Sequence, residues 1–353
     1  MDCNVFSLND SQKWHSAYET LPVALRDVYY RADFYRINQG LTGAEAKCFV
    51  CSEDEKLFLY PFLKTKVNPG YIVGGSTYYD IEGAYGYNGP LYNTDDINFL
   101  KEVSRRFLEM CRDENIIAEF TRFNPVLENH KALAHIEPMA VNENIVLDLE
   151  TEDIWMKAYE HSTRKNINKA IRSGLTVKYV EGWQITSGEL NEFVGIYMDT
   201  MKRNRASSVY HFPDSYFLEM AQLPGGSHFF FTMNEGNAVS CELVTAGSTI
   251  SYSFLGGTNE QFFSLRANDL LKHEIIQKMK QLGLRYFCLG GGTTPNDGIF
   301  RYKKCFAKDG VKKFYIGRKV HNETVYNNVV KNWEDGFPQK KEMYKNHILK
   351  YRN

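Results

Sequence analysis

At 353 residues the chain is long enough for two domains of ordinary size, so a second hydrophobic core is expected. With 43% hydrophobic and 14% aromatic residues it has material for both cores and rings to spare for pockets, which excludes disorder as the default. A formal net charge of -1 excludes a surface built wholly to neutralise phosphates, so DNA is not expected as a partner and RNA could engage only a local basic patch.

The first clear unit starts at Tyr85 to Tyr92, which reads as an extended segment with glycines. Thr94 or Asp95 then caps a helix carrying Ile97, Leu100, Val103, Phe107, Leu108 and Cys111 on one face, and Asn115 leads into a strand over Ile116 to Phe123. After a strand over Asn144 to Leu149, a new helix starts at Thr151, buries Ile154, Trp155, Ala158, Ile167, Ala170 and Ile171, and ends at Gly174. Arg164, Lys165, Lys169 and Arg172 crowd its polar side, either as a solvated face or as a contact for RNA. The second unit repeats the first in kind: a strand over Thr249 to Leu255, a turn at Gly256-Gly257, and a helix with the stripe Ala267, Leu270, Leu271, Ile275, Met279 and Leu282. Gly283 closes that helix and Leu284 to Leu289 forms the next strand. Two such strand-helix-strand units a domain's length apart imply two copies of one α/β fold. The segment from Trp333 to Asn353 reads as a terminal helix packed on one of them.

The seven cysteines are an odd number, mostly inside apolar runs, and read as thiols in a reducing, cytoplasmic setting. Cys48-x-x-Cys51 has no second pair and no histidines at ligand spacing, so no metal site is expected. The nine histidines are scattered, and His130 and His135 flank a polar loop as ordinary surface or core residues. The N-terminus lacks a secretory pattern, and no run approaches the roughly 18 apolar residues that cross a bilayer. Motifs for a P-loop, a zincin and a hydrolase elbow are missing, and Pro295 breaks the dinucleotide spacing after Gly290-Gly291-Gly292.

Three clusters remain. Gly290 to Phe306 follows a strand and combines three glycines with Arg301, Lys303 and Lys304; it reads either as an oxyanion or phosphate cradle or as a tight turn beside solvated cations. Tyr85, Tyr87 and Asn88 belong to an alternation of rings and small residues that suits a groove wall as well as a strand edge. Tyr197, Thr200 and Arg203 share a helical face, continued by Arg205, Tyr210 and Tyr216, and either bind substrate or end a helix with favourable cations.

In this order the clusters resemble the Fem-like aminoacyl and acyl transferases of the GNAT superfamily. The matching text is DVYYRADFY at Asp27, YYDIEGAYGYNGPL at Tyr78, RFNP at Arg122, STRKNINKAIRSGL at Ser162, FFSLRANDLLKHEII at Phe262 and LGGGTTPNDGIFRYKKCFA at Leu289. The resemblance implies two tandem GNAT-like domains, each a mixed twisted sheet flanked by helices, without the coiled-coil insertion of some members. It divides the chain into residues 1–149, completed by about 320–353, and residues 150–319, which carry the catalytic loop. An aromatic-lysine pair required for transfer in the family falls on Tyr302-Lys303, with the lysine stabilising the charged intermediate. Tyr87 and Tyr216 match tyrosines that contact a nucleotide-linked acceptor, and Phe212 stands where the peptidoglycan enzymes have an arginine. Substrate contacts are further expected at Tyr85, Asn88, Arg122, Arg203, Tyr210, Asn268, Gly290, Gly291, Gly292 and Arg301, with Asp297 as a candidate base.

The implied reaction is amide formation from an aminoacyl or acyl donor and an amine of a cell-envelope or polysaccharide precursor, with no permanently bound cofactor. The donor is aminoacyl-tRNA or acyl-CoA, and the CoA pyrophosphate loop [QR]-x-x-G-x-[GA] does not occur in the chain. Two alternatives stand beside this: an acyl-CoA-dependent N-acyltransferase of an amino sugar, and a non-catalytic module that binds a sugar nucleotide.

Overall fold

The computed structural model describes residues 1–353, which divide into two compact units: Met1–Leu25, Tyr29–Val141 and Phe314–Asn353 form the first, Arg26–Val28 and Asn142–Lys313 the second. In chain order the first unit opens with β1 (Asp2–Ser7), α1 (Ser11–Thr20), α2 (Ala32–Thr42), β2 (Glu45–Glu53), β3 (Lys56–Lys66), β4 (Tyr79–Glu82), β5 (Leu91–Tyr92), α3 (Ile97–Asp113) and β6 (Ile116–Arg122). The second follows with β7 (Met139–Asp148), α4 (Ile154–Lys157), α5 (His161–Arg172), β8 (Thr176–Glu181), α6 (Ser187–Arg203) and α7 (Asp214–Ala221). It continues through β9 (Ser227–Asn234), β10 (Asn237–Ala246), β11 (Ile250–Thr258), α8 (Ala267–Gln281), β12 (Tyr286–Gly290) and α9 (Gly298–Lys304). Strand β13 (Val311–Val320), from Phe314 on, and helices α10 (Glu323–Gly336) and α11 (Pro338–Lys341) complete the first unit.

Within the first unit the strand order is β1-β2-β3-β4-β6-β13, with β5 on β3. All pairs are antiparallel except β4 and β6, which are parallel because α3 carries the chain across between them. Phe99, Val103, Phe107 and Cys111 of α3 are buried against Phe49, Phe58, Tyr60 and Phe62 of the sheet. Within the second unit the order is β7-β12-β11-β10-β9-β8, and the one parallel pair, β11 with β12, is bridged by α8. Its core joins Ile167 and Ala170 of α5 to Leu271 and Ile275 of α8 and to Phe287 and Leu289 of β12. Each unit is thus a mixed sheet flanked by helices, with one parallel pair made by one crossover helix.

Five local expectations need correction. Tyr85 to Tyr92 is not one strand: only Leu91–Tyr92 forms a strand, Asn88 makes an isolated bridge to Phe123, and the parallel partner of β6 is β4. Gly256 and Gly257 are not a turn, since β11 runs through them; a Cβ on Gly257 would lie 2.7 Å from the Ile196 carbonyl, so glycine is needed there for the close approach of α6. The helix expected from Thr151 is broken into α4 and α5, and the C-terminal region, with Trp333 fully buried, is helical only to Lys341 before a short 3-10 turn at Lys350–Arg352. Finally, Cys3 and Cys51 are cross-strand neighbours on β1 and β2, with Cα atoms 4.1 Å apart, and form a disulfide. That bond removes the chemical basis for reading a reducing compartment from the cysteines. No helix is long and apolar enough to cross a membrane.

Candidate active site

Strands β11 and β12 pair only from Ile250–Tyr286 to Tyr252–Cys288, while β11 continues to Thr258. The strands part after Tyr252, and a register shift opposite Leu243 and Val244 leaves Phe254 as an extra residue on β11. A groove of about 420 Å³ opens along Ser253 to Thr258, closed by Thr200 and Arg203 of α6, Glu242 of β10, Asn268 and Lys272 of α8, and Tyr302 and Lys303 of α9.

Helix α9 is set by the loop before it. Gly290 ends β12 at φ 76°, a conformation that costs other residues, and a Cβ on Gly291 would meet the Glu143 carbonyl at 2.6 Å. Asp297 caps the helix: its carboxylate accepts from the amides of Thr293 (2.7 Å), Thr294 (3.1 Å) and Phe300 (2.8 Å). Those amides, that of Phe300 first, hold its carboxyl below the usual carboxylate range. A carboxylate so occupied is a helix cap, and the bonds that hold it ionised weaken it as a base.

One turn on, the half-buried Lys303 donates from Nζ to the Gly291 carbonyl at 2.8 Å. An ammonium has three protons, so Lys303 keeps hydrogen-bonding capacity toward the groove it lines. Burial pulls its pKa down to about 8, with the Lys272 ammonium the next cause. Beside it, Tyr302 donates its hydroxyl to the Asn268 carbonyl at 3.1 Å and sets its ring edge-on to Phe306. Arg203 donates to the Thr258 carbonyl at 3.0 Å and lies over the exposed Phe263 ring at the groove.

Lys303, Tyr302, Asn268 and Arg203 are therefore brought together in one groove, with Gly291 in contact through its carbonyl. Gly292 packs against Asp297, and Arg301 is exposed and spends a guanidinium nitrogen on the Asn296 carbonyl at 2.9 Å. Tyr210 is 39% exposed and accepts on its carbonyl from the Tyr197 hydroxyl. Tyr216 is not a groove residue: it is buried at 2% exposure and stacked on Phe212 at 4.5 Å, in an aromatic core with Phe217.

The tyrosine-glycine cluster belongs to the first unit. Arg122 binds the carbonyls of Gly83, Ala84 and Gly86, and the buried Asn88 donates to the Ala84 carbonyl at 2.8 Å. Both residues hold the loop in shape through these bonds. Tyr87 sets its ring edge-on to Tyr29 and Phe314, while the Tyr85 amide donates to Asn38 Oδ1.

The groove contains two charged residues that sequence reasoning missed. Lys272 and Glu242, with side chains 4% and 6% exposed, form an ion pair whose ammonium also donates to Ser253 Oγ at 2.9 Å. Signals existed: Lys272 stands three and four residues before the buried Ile275 and Ile276, and Glu242 sits inside an apolar strand. A third cluster, in the first unit, joins Glu119 to His135, His321 and Tyr60. No group of three or more His, Cys, Asp or Glu side chains is arranged to hold a metal ion.

Residues 161–304 match the sequence family described as an acetyltransferase (GNAT) domain, the stretch that contains α5 to α9 and Lys303. No curated protein matches the chain. Among solved structures, FemX is similar with a TM-score of 0.67 at 14% identity, over 93% of this chain and 99% of that one. L-PGS from Bacillus licheniformis is similar with a TM-score of 0.57 at 15% identity, over 92% and 94%. A tandem GNAT protein from the clavulanic acid biosynthesis pathway is similar with a TM-score of 0.51 at 8% identity, over 91% and 99%. Residues 161–304 thus match a GNAT acetyltransferase domain, and the chain as a whole has a tandem GNAT-like, Fem-like fold.

Proposed function

We propose that the chain is an acyltransferase that forms an amide in the groove beside Lys303, from an aminoacyl or acyl donor and an amine of a cell-envelope or polysaccharide precursor. The observation that carries this reading is the half-buried ammonium of Lys303, anchored by one hydrogen bond to Gly291 and facing a groove between parted strands. When an amine nitrogen bonds to the carbonyl carbon of an activated ester, negative charge gathers on the carbonyl oxygen. A fixed cation in a partly dry groove stabilises that oxygen, an effect of about 3 kcal/mol where single donors of this kind have been removed. No protein nucleophile is needed.

For the donor, aminoacyl-tRNA is favoured over acyl-CoA by two features. The α8 N-terminus, which follows the parted strand, has Arg266 at φ 65° in place of a glycine and the buried Asp269 in its first turn, so a phosphate there would meet a carboxylate. Lys165, Lys169 and Arg172 form an exposed stripe along α5, whereas Arg164 is spent on the carbonyls of Trp155 and Tyr159. The match to an acetyltransferase family supports CoA as the second reading.

Thermal-shift or native mass-spectrometric screening against CoA thioesters, charged tRNA and UDP-sugars tests the assignment, because a ligand of the folded state raises apparent stability. Stabilisation by charged tRNA, followed by transfer to an amine, is the expected result. A CoA response without a tRNA response would reverse the donor. Binding of a UDP-sugar with no turnover by wild type would leave a non-catalytic module.

A further inference from the structure

We infer that Lys272 and Glu242 are positioning residues of the groove: a buried ion pair whose field sets how readily the Lys303 ammonium gives up its proton. The inference rests on the reading of Lys303 as the group that meets the reacting carbonyl.

Lys272 cannot itself bind substrate. Its three protons are accounted for by Glu242 Oε1 (2.6 Å), Glu242 Oε2 (2.5 Å) and Ser253 Oγ (2.9 Å). It therefore acts on anything in the groove through its charge. A buried ion pair is a costly way to fill space, since apolar side chains of the same volume commonly stabilise as well or better. This pair also lines the groove that holds Lys303, where a tuned field has chemical use.

The titratable groups whose charge acts on Lys303 come from four elements: Lys272 from α8 and Glu242 from β10, which line the groove with it, the Cys288 thiol from β12, and Asp297 from the cap of its own helix. Arg203 of α6 and Tyr302 line the same groove. Lys272 opposes the Lys303 charge, while Glu242 moderates that opposition by neutralising Lys272 at contact distance. Lys303 is thereby left charged near neutral pH yet able to part with a proton, as amide formation requires. In that step the amine nitrogen bonds to the acyl carbon and the carbonyl electron pair moves to oxygen. On collapse the bond from carbon to the leaving oxygen breaks, and that oxygen takes the Lys303 proton. The proton shed by the amine then returns to Lys303 through solvent, so the balance closes without any further reactant.

The test reads Lys303 directly. Its labelling by an amine-reactive ester, followed peptide by peptide in the full-length protein as pH is raised, reports the fraction of neutral amine. Wild type is expected to have its midpoint near 8, far below an ordinary lysine at 10.5. Glu242→Gln leaves Lys272 uncompensated and lowers the midpoint by about one unit, whereas Lys272→Met raises it by about one unit. The double variant rises by less than Lys272→Met, and Lys272→Arg stays near wild type. Folded single variants whose midpoints both stay within about 0.3 units of wild type would reduce the pair to a structural brace and overturn the inference. Where a single variant does not fold, the charge-free double variant decides: a raised midpoint supports the inference and an unchanged one defeats it. Labelling needs no turnover, so a shifted midpoint in a protein that transfers nothing would refute the acyltransferase reading and leave the role of the pair standing.

Discussion

Each unit buries a cluster of charge, and the two clusters differ in what lies beside them. In the first unit Glu119, fully buried, accepts from Tyr60 on Oε1 at 2.7 Å and from the imidazoles of His135 and His321 on Oε2 at 3.2 and 3.0 Å. His135 is further stacked on Phe107, with ring centroids 5.1 Å apart. This set joins β6 to the segment that follows β13 and to the loop at His135. In the second unit Lys272 and Glu242 are equally buried, but they sit beside a lysine that retains donors and faces open space. Buried charge alone does not mark a reaction site. Spare hydrogen-bonding capacity next to a groove does.

The largest effect that would sharpen this contrast falls on stability in the first unit. Glu119→Ala strips two histidines and a tyrosine of their common acceptor, and loss of one partner from a buried pair typically costs about 3–5 kcal/mol. Denaturant unfolding should show that loss while the geometry at Lys303 is kept. The pH dependence has a defined sign. Although burial pushes the Glu119 carboxyl up, the two imidazoles outweigh it and hold the carboxyl well below its ordinary 4.5. Its stabilisation is therefore present above pH 4.5 and lost as pH falls through the folded value, so Glu119→Gln should flatten the acid limb of a stability curve. An unchanged acid limb would mean that the cluster is neutral when folded.

Lys303→Ala comes next and acts on turnover. Removing a donor to a developing oxyanion costs roughly 10²–10³ in kcat, with acceptor binding retained. Because only the ammonium stabilises negative charge, wild-type activity should also fall as pH rises through about 8. Stability runs the other way. A lysine whose folded pKa lies below its unfolded 10.5 holds fewer protons when folded, so its burial costs most at neutral pH and that cost fades between about 8 and 10.5. Lys303→Met should abolish this rise in stability, measured by melting over the same window. A rise that persists would assign it to another group.

The folds of both units were legible where a period and a stop coincided. The stripes on α3 and α8, closed by Asn115 and Gly283, place both crossover helices and the strand after each, whereas the strand before α3 was misplaced. Legibility failed at Tyr85 to Tyr92, because alternating rings imitate a strand while the carbonyls of that loop are taken by the Arg122 and Asn88 side chains instead of a neighbouring strand. The site divides along the same line. Gly291, Asp297, Tyr302 and Lys303 lie within one segment, so their association is local and residue spacing announces it. Lys272 meets Glu242 across 30 residues and Glu119 meets His321 across 202, partnerships that sheet topology creates and residue spacing does not announce.

The smallest expected effect concerns Asp297, and it tests whether the loop or the lysine carries the chemistry. As a cap its carboxylate needs only acceptor oxygens facing the amides of Thr293, Thr294 and Phe300, and asparagine supplies one of comparable strength. As a general base it needs an ionisable oxygen, which asparagine lacks. Asp297→Asn should therefore keep turnover within about a few-fold of wild type and lower the melting temperature slightly, with Asp297→Ala worse on both counts because α9 then frays and Lys303 loses its register with Gly291. If Asp297→Asn were instead as inactive as Lys303→Ala while melting like wild type, the carboxylate would be the proton acceptor after all. Lys303 would then not be the group that sets this groove apart from the Glu119 cluster.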